Sequence, residues 1–167
     1  MSKDLTNSNI ARQNILNNHY ALKEIQKAVG IRGILFEKEY RFTKKQLAAF
    51  YEVTERTINR CLTKNEAELI KNGYGILDGN ALNDFKIAAN LHFGHDTDVM
   101  TKTTQLGIFN FRAFLNIGML LTNSLKAREL RSTMLDIVID TINKRSGGST
   151  KYINQRDEDF VVNLLRG

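Results

Sequence analysis

Not one proline interrupts the 167 residues of this chain. The strongest helix breaker is therefore missing, and the sequence is free to be mainly helical. Apolar residues recur at helical spacing over Asn7 to Val29 (Ile10, Ile15, Leu16, Leu22, Ile25, Val29), with Gly30 as the stop. The same pattern covers Phe111 to Leu121 and Leu125 to Lys144, where Leu130, Met134, Leu135, Val138 and Ile142 share a face and Ser124 stands as N-cap. Between these runs lie three weaker β signals. "GILFEKEYRF" alternates imperfectly and predicts a short strand or an extended approach to the next helix. "NGYGILDG" sets an apolar segment between Asn72-Gly73 and Asp78-Gly79 and predicts a small hairpin or wing. Leu106, Ile108 and Phe109 form a third strand candidate. The expected architecture is mainly α with a small β element. A helix-turn-helix lobe, with or without a wing, would occupy residues 1–92 and an α-helical interaction or dimerisation lobe residues 93–167. The abrupt end at Gly167, inside an amphipathic pattern, suggests a truncated C-terminus.

The densest local signal is "TKKQLAAFYEVTERTINRCLTKN", Thr43 to Asn65, two short helices with almost no connection. A helix-turn-helix needs a small residue where the helices cross, an apolar residue in the turn and apolar residues on the inner face of the second helix. Ala48, Val53 and Ile58 with Cys61 or Leu62 meet those needs, Leu47 and Tyr51 face the core, and Thr43 and Thr54 stand at the two N-caps. With Ile58 inward, the 3.6-residue period turns Glu55, Arg56, Asn59 and Arg60 outward, with Thr54 and Thr57 at the leading end. Arginine pairs bidentately with guanine, asparagine with adenine, glutamate accepts from cytosine, and threonine touches phosphate or a thymine methyl. Thr43, Lys44, Lys45 and Gln46 open the preceding helix, where they would position phosphates rather than read sequence. Glu52 departs from the pattern, since glycine in a left-handed conformation is common at that turn position.

Charge supports a polyanionic partner: 24 Lys and Arg against 18 Asp and Glu give a net charge of +6. Lys102, Arg112, Lys126, Arg128 and Arg131, opposed only by Glu129, would add phosphate contacts or form the solvated side of core helices. The longest apolar runs fall far short of the roughly 20 residues of a membrane helix. The polar start "MSKDLTNSN" and the single cysteine point to the cytoplasm. Cys61 falls on the buried face and reads as core. His92, His95, Asp96 and Asp98 read as a polar loop rather than a metal site, and Asp157, Glu158 and Asp159 as the acidic start of a helix rather than nuclease carboxylates. With no Gly-rich phosphate loop, an enzyme is not expected, and no cofactor or metal is implied.

"TERTINRCLTKNEAELIKNGYGIL", followed by "GIFNFRAFLNIGMLLTNSLKARELRSTMLDIVIDTINKRSGGSTKYINQRDEDF", resembles the RhuM-like (virulence protein) group of prophage-associated DNA-binding proteins, over roughly Phe42 to Phe160. Such proteins are often encoded beside Fic/Doc, or death-on-curing, toxins. The resemblance implies a transcriptional regulator of a mobile element or toxin-antitoxin operon that binds double-stranded DNA through Thr54, Arg56, Thr57, Asn59 and Arg60; a homodimer is expected because one recognition helix alone gives limited affinity and specificity. The alternative it implies is an antitoxin that neutralises a Fic/Doc-type toxin with the helix pair as scaffold. The Ser/Thr-x-x-x-Glu-Gly/Asn inhibitory motif of some Fic antitoxins does not occur in the chain.

Overall fold

The structure, a computed structural model, describes residues 4–93 and 103–145. Over these the chain is mainly helical with a small antiparallel sheet, as the proline-free sequence predicts. It divides into two units, Met1–Gly30 with Gly118–Gly167, and Ile31–Ile117. The division expected after residue 92 follows neither boundary, because Gln105–Phe109 pairs with strands that precede it by more than 25 residues. Strand pairing between distant segments has no local signature.

In the first unit the helix expected over Asn7 to Val29 is two: α1 (Asn9–Leu16) and α2 (His19–Val29). Asn18 breaks the run, because its side chain accepts from the Ala21 N–H and starts a new helix. Gly30, at φ 65°, ends α2 as expected. Leu5, Ile15, Leu16 and Ile25 are buried, and the Arg12 guanidinium donates to the carbonyls of Leu5 and Thr6, which pins a single 3-10 turn at Leu5–Asn7. The Thr6 hydroxyl and backbone N–H hold the Asp4 carboxyl below its ordinary range.

The second unit is built on the sheet β1 (Ile34–Phe36), β2 (Glu39–Thr43), β3 (Tyr74–Asp78) and β4 (Gln105–Phe109), in the order β1-β2-β4-β3. Its helices are α3 (Lys44–Tyr51), α4 (Glu55–Lys64), α5 (Glu66–Lys71), α6 (Gly79–Phe93) and α7 (Phe111–Leu120), of which residues 111–117 lie here; α8 (Leu125–Arg145) belongs to the first unit. The imperfect alternation of "GILFEKEYRF" resolves into the β1–β2 hairpin. Its turn holds Glu37 and Lys38 at φ 53° and 67°, the left-handed pair that Asn-Gly usually supplies, so the sequence carries no turn signal there. The hairpin or wing expected over Asn72 to Gly79 is a single strand, β3, whose partner is β4; residues 79–104 stand between them and carry α6. Asn72-Gly73 closes α5, and Asp78-Gly79 leads into α6.

The sheet's alternation sorts its two faces. Phe42, Phe109 and Tyr74 are in register across three strands on one face, and Ile34, Phe36 and Ile108 meet Phe85 and Ala89 of α6 on the other. Gly107 leaves room for the Tyr74 ring, since a Cβ there would meet the phenol oxygen at 2.5 Å. On the first face Phe114 of α7 packs against Phe42, Phe50, Tyr51 and Phe111 at ring separations of 5.1, 5.0, 5.2 and 5.7 Å, and the Tyr51 hydroxyl donates to the Phe114 carbonyl at 2.7 Å.

A buried polar chain ties α5 to α7. Asn72 donates to Asn116 at 2.7 Å, Asn116 donates to Glu68 at 2.6 Å, and Arg112 donates to Asn72 at 3.2 Å. Asn116 is wholly buried and Asn72 is 1% exposed, so both amides depend on these bonds. Asn116→Ala is expected to cost about 2–3 kcal/mol in urea unfolding, because it orphans the buried Asn72 amide donor and removes a hydrogen bond to the Glu68 carboxylate. A loss under about 0.5 kcal/mol would show that water replaces the amide at no cost.

Candidate nucleic-acid interface

The helix pair forms where the sequence places it. Thr43 and Gln46 make a reciprocal capping box: the Thr43 hydroxyl accepts from the Gln46 N–H at 3.2 Å, and Gln46 Oε1 accepts from the Thr43 N–H at 3.0 Å. Leu47, Ala48 and Tyr51 are buried. The turn closes with the Val53 N–H donating to the Ala48 carbonyl, and Glu52 takes the left-handed conformation at φ 57°, ψ 47°. A non-glycine residue there costs on the order of 1–2 kcal/mol. Glu52→Gly is therefore expected to raise stability by about 1 kcal/mol, read by thermal or urea melting, and to leave the outward face of α4 unaltered.

On α4 only Ile58 and Leu62 are buried, and Cys61 is half-buried rather than core, its sulfur 3.9 Å from the Asn65 amide. Arg56, Asn59 and Arg60 are exposed and, with Thr63 and Lys64, line a shallow open concavity. None of the five makes a side-chain hydrogen bond or ion pair with a described residue. Thr63 and Lys64 extend the predicted face by one turn; the 3.6-residue period that brings out Arg56 and Arg60 also brings out Thr63.

The other expected site residues divide sharply. Thr54 and Thr57 are spent on starting the helix: the Thr54 hydroxyl caps the Thr57 N–H at 3.1 Å and meets the Thr57 hydroxyl at 3.0 Å. Glu55 sits in the first turn of α4, where a carboxylate is favoured by the helix dipole, so its charge on this face has a structural cause. Thr43 and Gln46 are occupied by the capping box, and Thr43 is 8% exposed, which takes both from the phosphate-positioning set expected of the start of α3. Lys44 and Lys45 remain available there, Lys45 exposed and Lys44 half-buried.

Of the basic residues of the second half, Arg112 and Arg131 serve the fold. Arg112 belongs to the buried chain with Asn72, and the Arg131 guanidinium donates to the Gly118 and Leu121 carbonyls at 2.8 and 2.7 Å, satisfying helix-end acceptors. Arg128 is exposed and Lys126 half-buried. Lys102, His95, Asp96, Asp98, Asp157, Glu158 and Asp159 lie outside the described residues, as does the His92 side chain. Among the described residues no group of three His, Cys, Asp or Glu side chains is placed to hold a metal ion, and no helix is long and apolar enough to cross a membrane.

Comparison with known proteins finds no match. No family model, no curated protein and no solved structure corresponds to the chain. The functional reading therefore rests on the chemistry of the α4 face.

Proposed function

We propose that the protein binds double-stranded DNA through the outward face of α4 and acts as a sequence-specific regulator. The observation that carries this reading is that Arg56, Asn59 and Arg60 project together from a helix whose other side is fixed by Ile58 and Leu62, with no internal partner among the described residues. Two guanidiniums and an amide at i, i+3 and i+4 match the donors and acceptors of guanine and adenine edges in a major groove. Lys44 and Lys45 at the start of α3 would meet flanking phosphates, and a net charge of +6 favours the encounter. One such helix gives limited specificity, which favours a homodimer on a two-fold site. The resemblance to RhuM-like proteins suggests a target in a mobile-element or toxin-antitoxin operon. The toxin-neutralising alternative has only that resemblance behind it.

The test is an anisotropy titration of the protein with the DNA upstream of its own gene and with a mixed-sequence duplex. Asn59→Ala should weaken binding to the upstream DNA and leave the mixed-sequence affinity as it was, since an uncharged side chain contributes to base reading and not to counterion release. Equal binding by wild type, Arg56→Ala and Asn59→Ala would remove this face from the interaction.

A further inference from the structure

The segment that leads into β1 brings the backbone of a third basic residue, Arg32, to the start of α3. The Arg32 carbonyl accepts from Gln46 Nε2 at 3.4 Å, and Gln46 is itself held by the capping box with Thr43. On the other side of Arg32, Gly33 is pressed against β2: a Cβ there would stand 3.0 Å from the Arg41 carbonyl oxygen, Phe42 Cζ and Tyr40 Cβ. The backbone at Arg32 is thus pinned between β2 and α3, while its side chain is exposed. The side chains of Arg32, Lys44 and Lys45 make no hydrogen bond or ion pair with any described residue. Arg32 is thus tied through its carbonyl to the first turn of α3, the turn that carries Lys44 and Lys45, in the helix pair that presents Arg56 and Arg60.

We propose that Arg32, with Lys44 and Lys45, forms a phosphate clamp that fixes the register of the helix pair on the DNA backbone. This rests on the DNA-binding reading of α4 and adds to it a positioning residue from outside the pair. Arg32 suits the task because a planar guanidinium bonds two phosphate oxygens at once. The clamp also replaces what the capping box removes, since the Thr43 hydroxyl and the Gln46 carbonyl are already engaged with each other's backbone. A contact to phosphate carries no sequence information, so its effect is uniform across DNA sequences and is read in the salt dependence of binding.

The experiment is a titration of a mixed-sequence duplex with the full chain at several salt concentrations between about 50 and 200 mM, where each phosphate neutralised contributes about 0.9 to the slope of log K against log salt. Arg32→Ala is expected to lower that slope by about 0.9, which weakens binding about eightfold near 0.1 M salt. Arg32→Gln, which keeps the apolar stem, should behave as Arg32→Ala does. Arg32→Lys, which keeps the charge, should keep the wild-type slope. An unchanged slope in Arg32→Ala or Arg32→Gln, with wild type still binding, would overturn the clamp and leave the α4 reading standing. A fall of Arg32→Lys to the level of Arg32→Ala would overturn it equally. Absence of wild-type binding at every salt concentration would instead overturn the DNA reading, and the clamp with it.

Discussion

Phe114→Ala is expected to destabilise the protein by about 4 kcal/mol. The ring is wholly buried and touches four other rings, from β2, α3 and α7 itself. Its removal forfeits the transfer energy of the side chain and leaves a cavity whose walls are stiff aromatic plates. Each lost aromatic pair adds to that cost by about 0.5–1.5 kcal/mol beyond area. For a chain of this size about 4 kcal/mol corresponds to a fall in melting temperature of roughly 8–16 °C. Phe114→Leu keeps most of the volume and should cost much less. The hydrogen bond from Tyr51 survives both changes, because its acceptor is the Phe114 backbone carbonyl. A fall of less than about 1 kcal/mol in Phe114→Ala, measured by urea unfolding, would mean that the cluster collapses around the gap.

Arg56→Ala/Arg60→Ala should produce the largest loss of DNA binding. On a specific site each bidentate arginine–guanine pair is worth about 1–3 kcal/mol, so the pair of substitutions removes about 2–6 kcal/mol, or roughly 30-fold to 20,000-fold in affinity. On mixed-sequence DNA the loss is smaller and is confined to the salt-dependent part. Neither side chain has a partner among the described residues, so the double variant should melt where wild type does, and lost binding can be assigned to the face itself. Retained affinity on both DNAs would show that α4 does not contact DNA.

The helix pair is legible in the sequence because everything that builds it is local. Thr43, Ala48, Val53, Thr54 and Ile58 lie within 16 consecutive residues, and each does in the structure what its type implies: capping, close packing, turning or burial. Ser124, Gly30 and the strand at Leu106 to Phe109 are legible for the same reason. What the sequence conceals is non-local or runs against type. Glu37 and Lys38 occupy left-handed positions usually filled by Asn and Gly, so the β1–β2 hairpin leaves no turn signature. The pairing of β3 with β4 across residues 79–104 is invisible to any periodicity. Residue type alone also overcounts the site, because a hydroxyl or amide at a helix start is consumed by the cap it makes. Arg32 escapes a sequence reading because only tertiary structure brings it to the start of α3.

The position of β4 has a consequence for how the protein can be made and cut. It is the central strand between β2 and β3, yet it is the last of the four to be synthesised, and the ring at Phe114 that backs α3 follows it. A nascent chain cannot close this unit until residues through about 117 have left the ribosome, so the helix pair is complete in sequence long before it has a floor to rest on. A fragment ending at residue 92 carries the whole of α3 and α4 but only three strands, with β3 cut off from β2. Such a fragment is expected to show helical propensity without a cooperative melt.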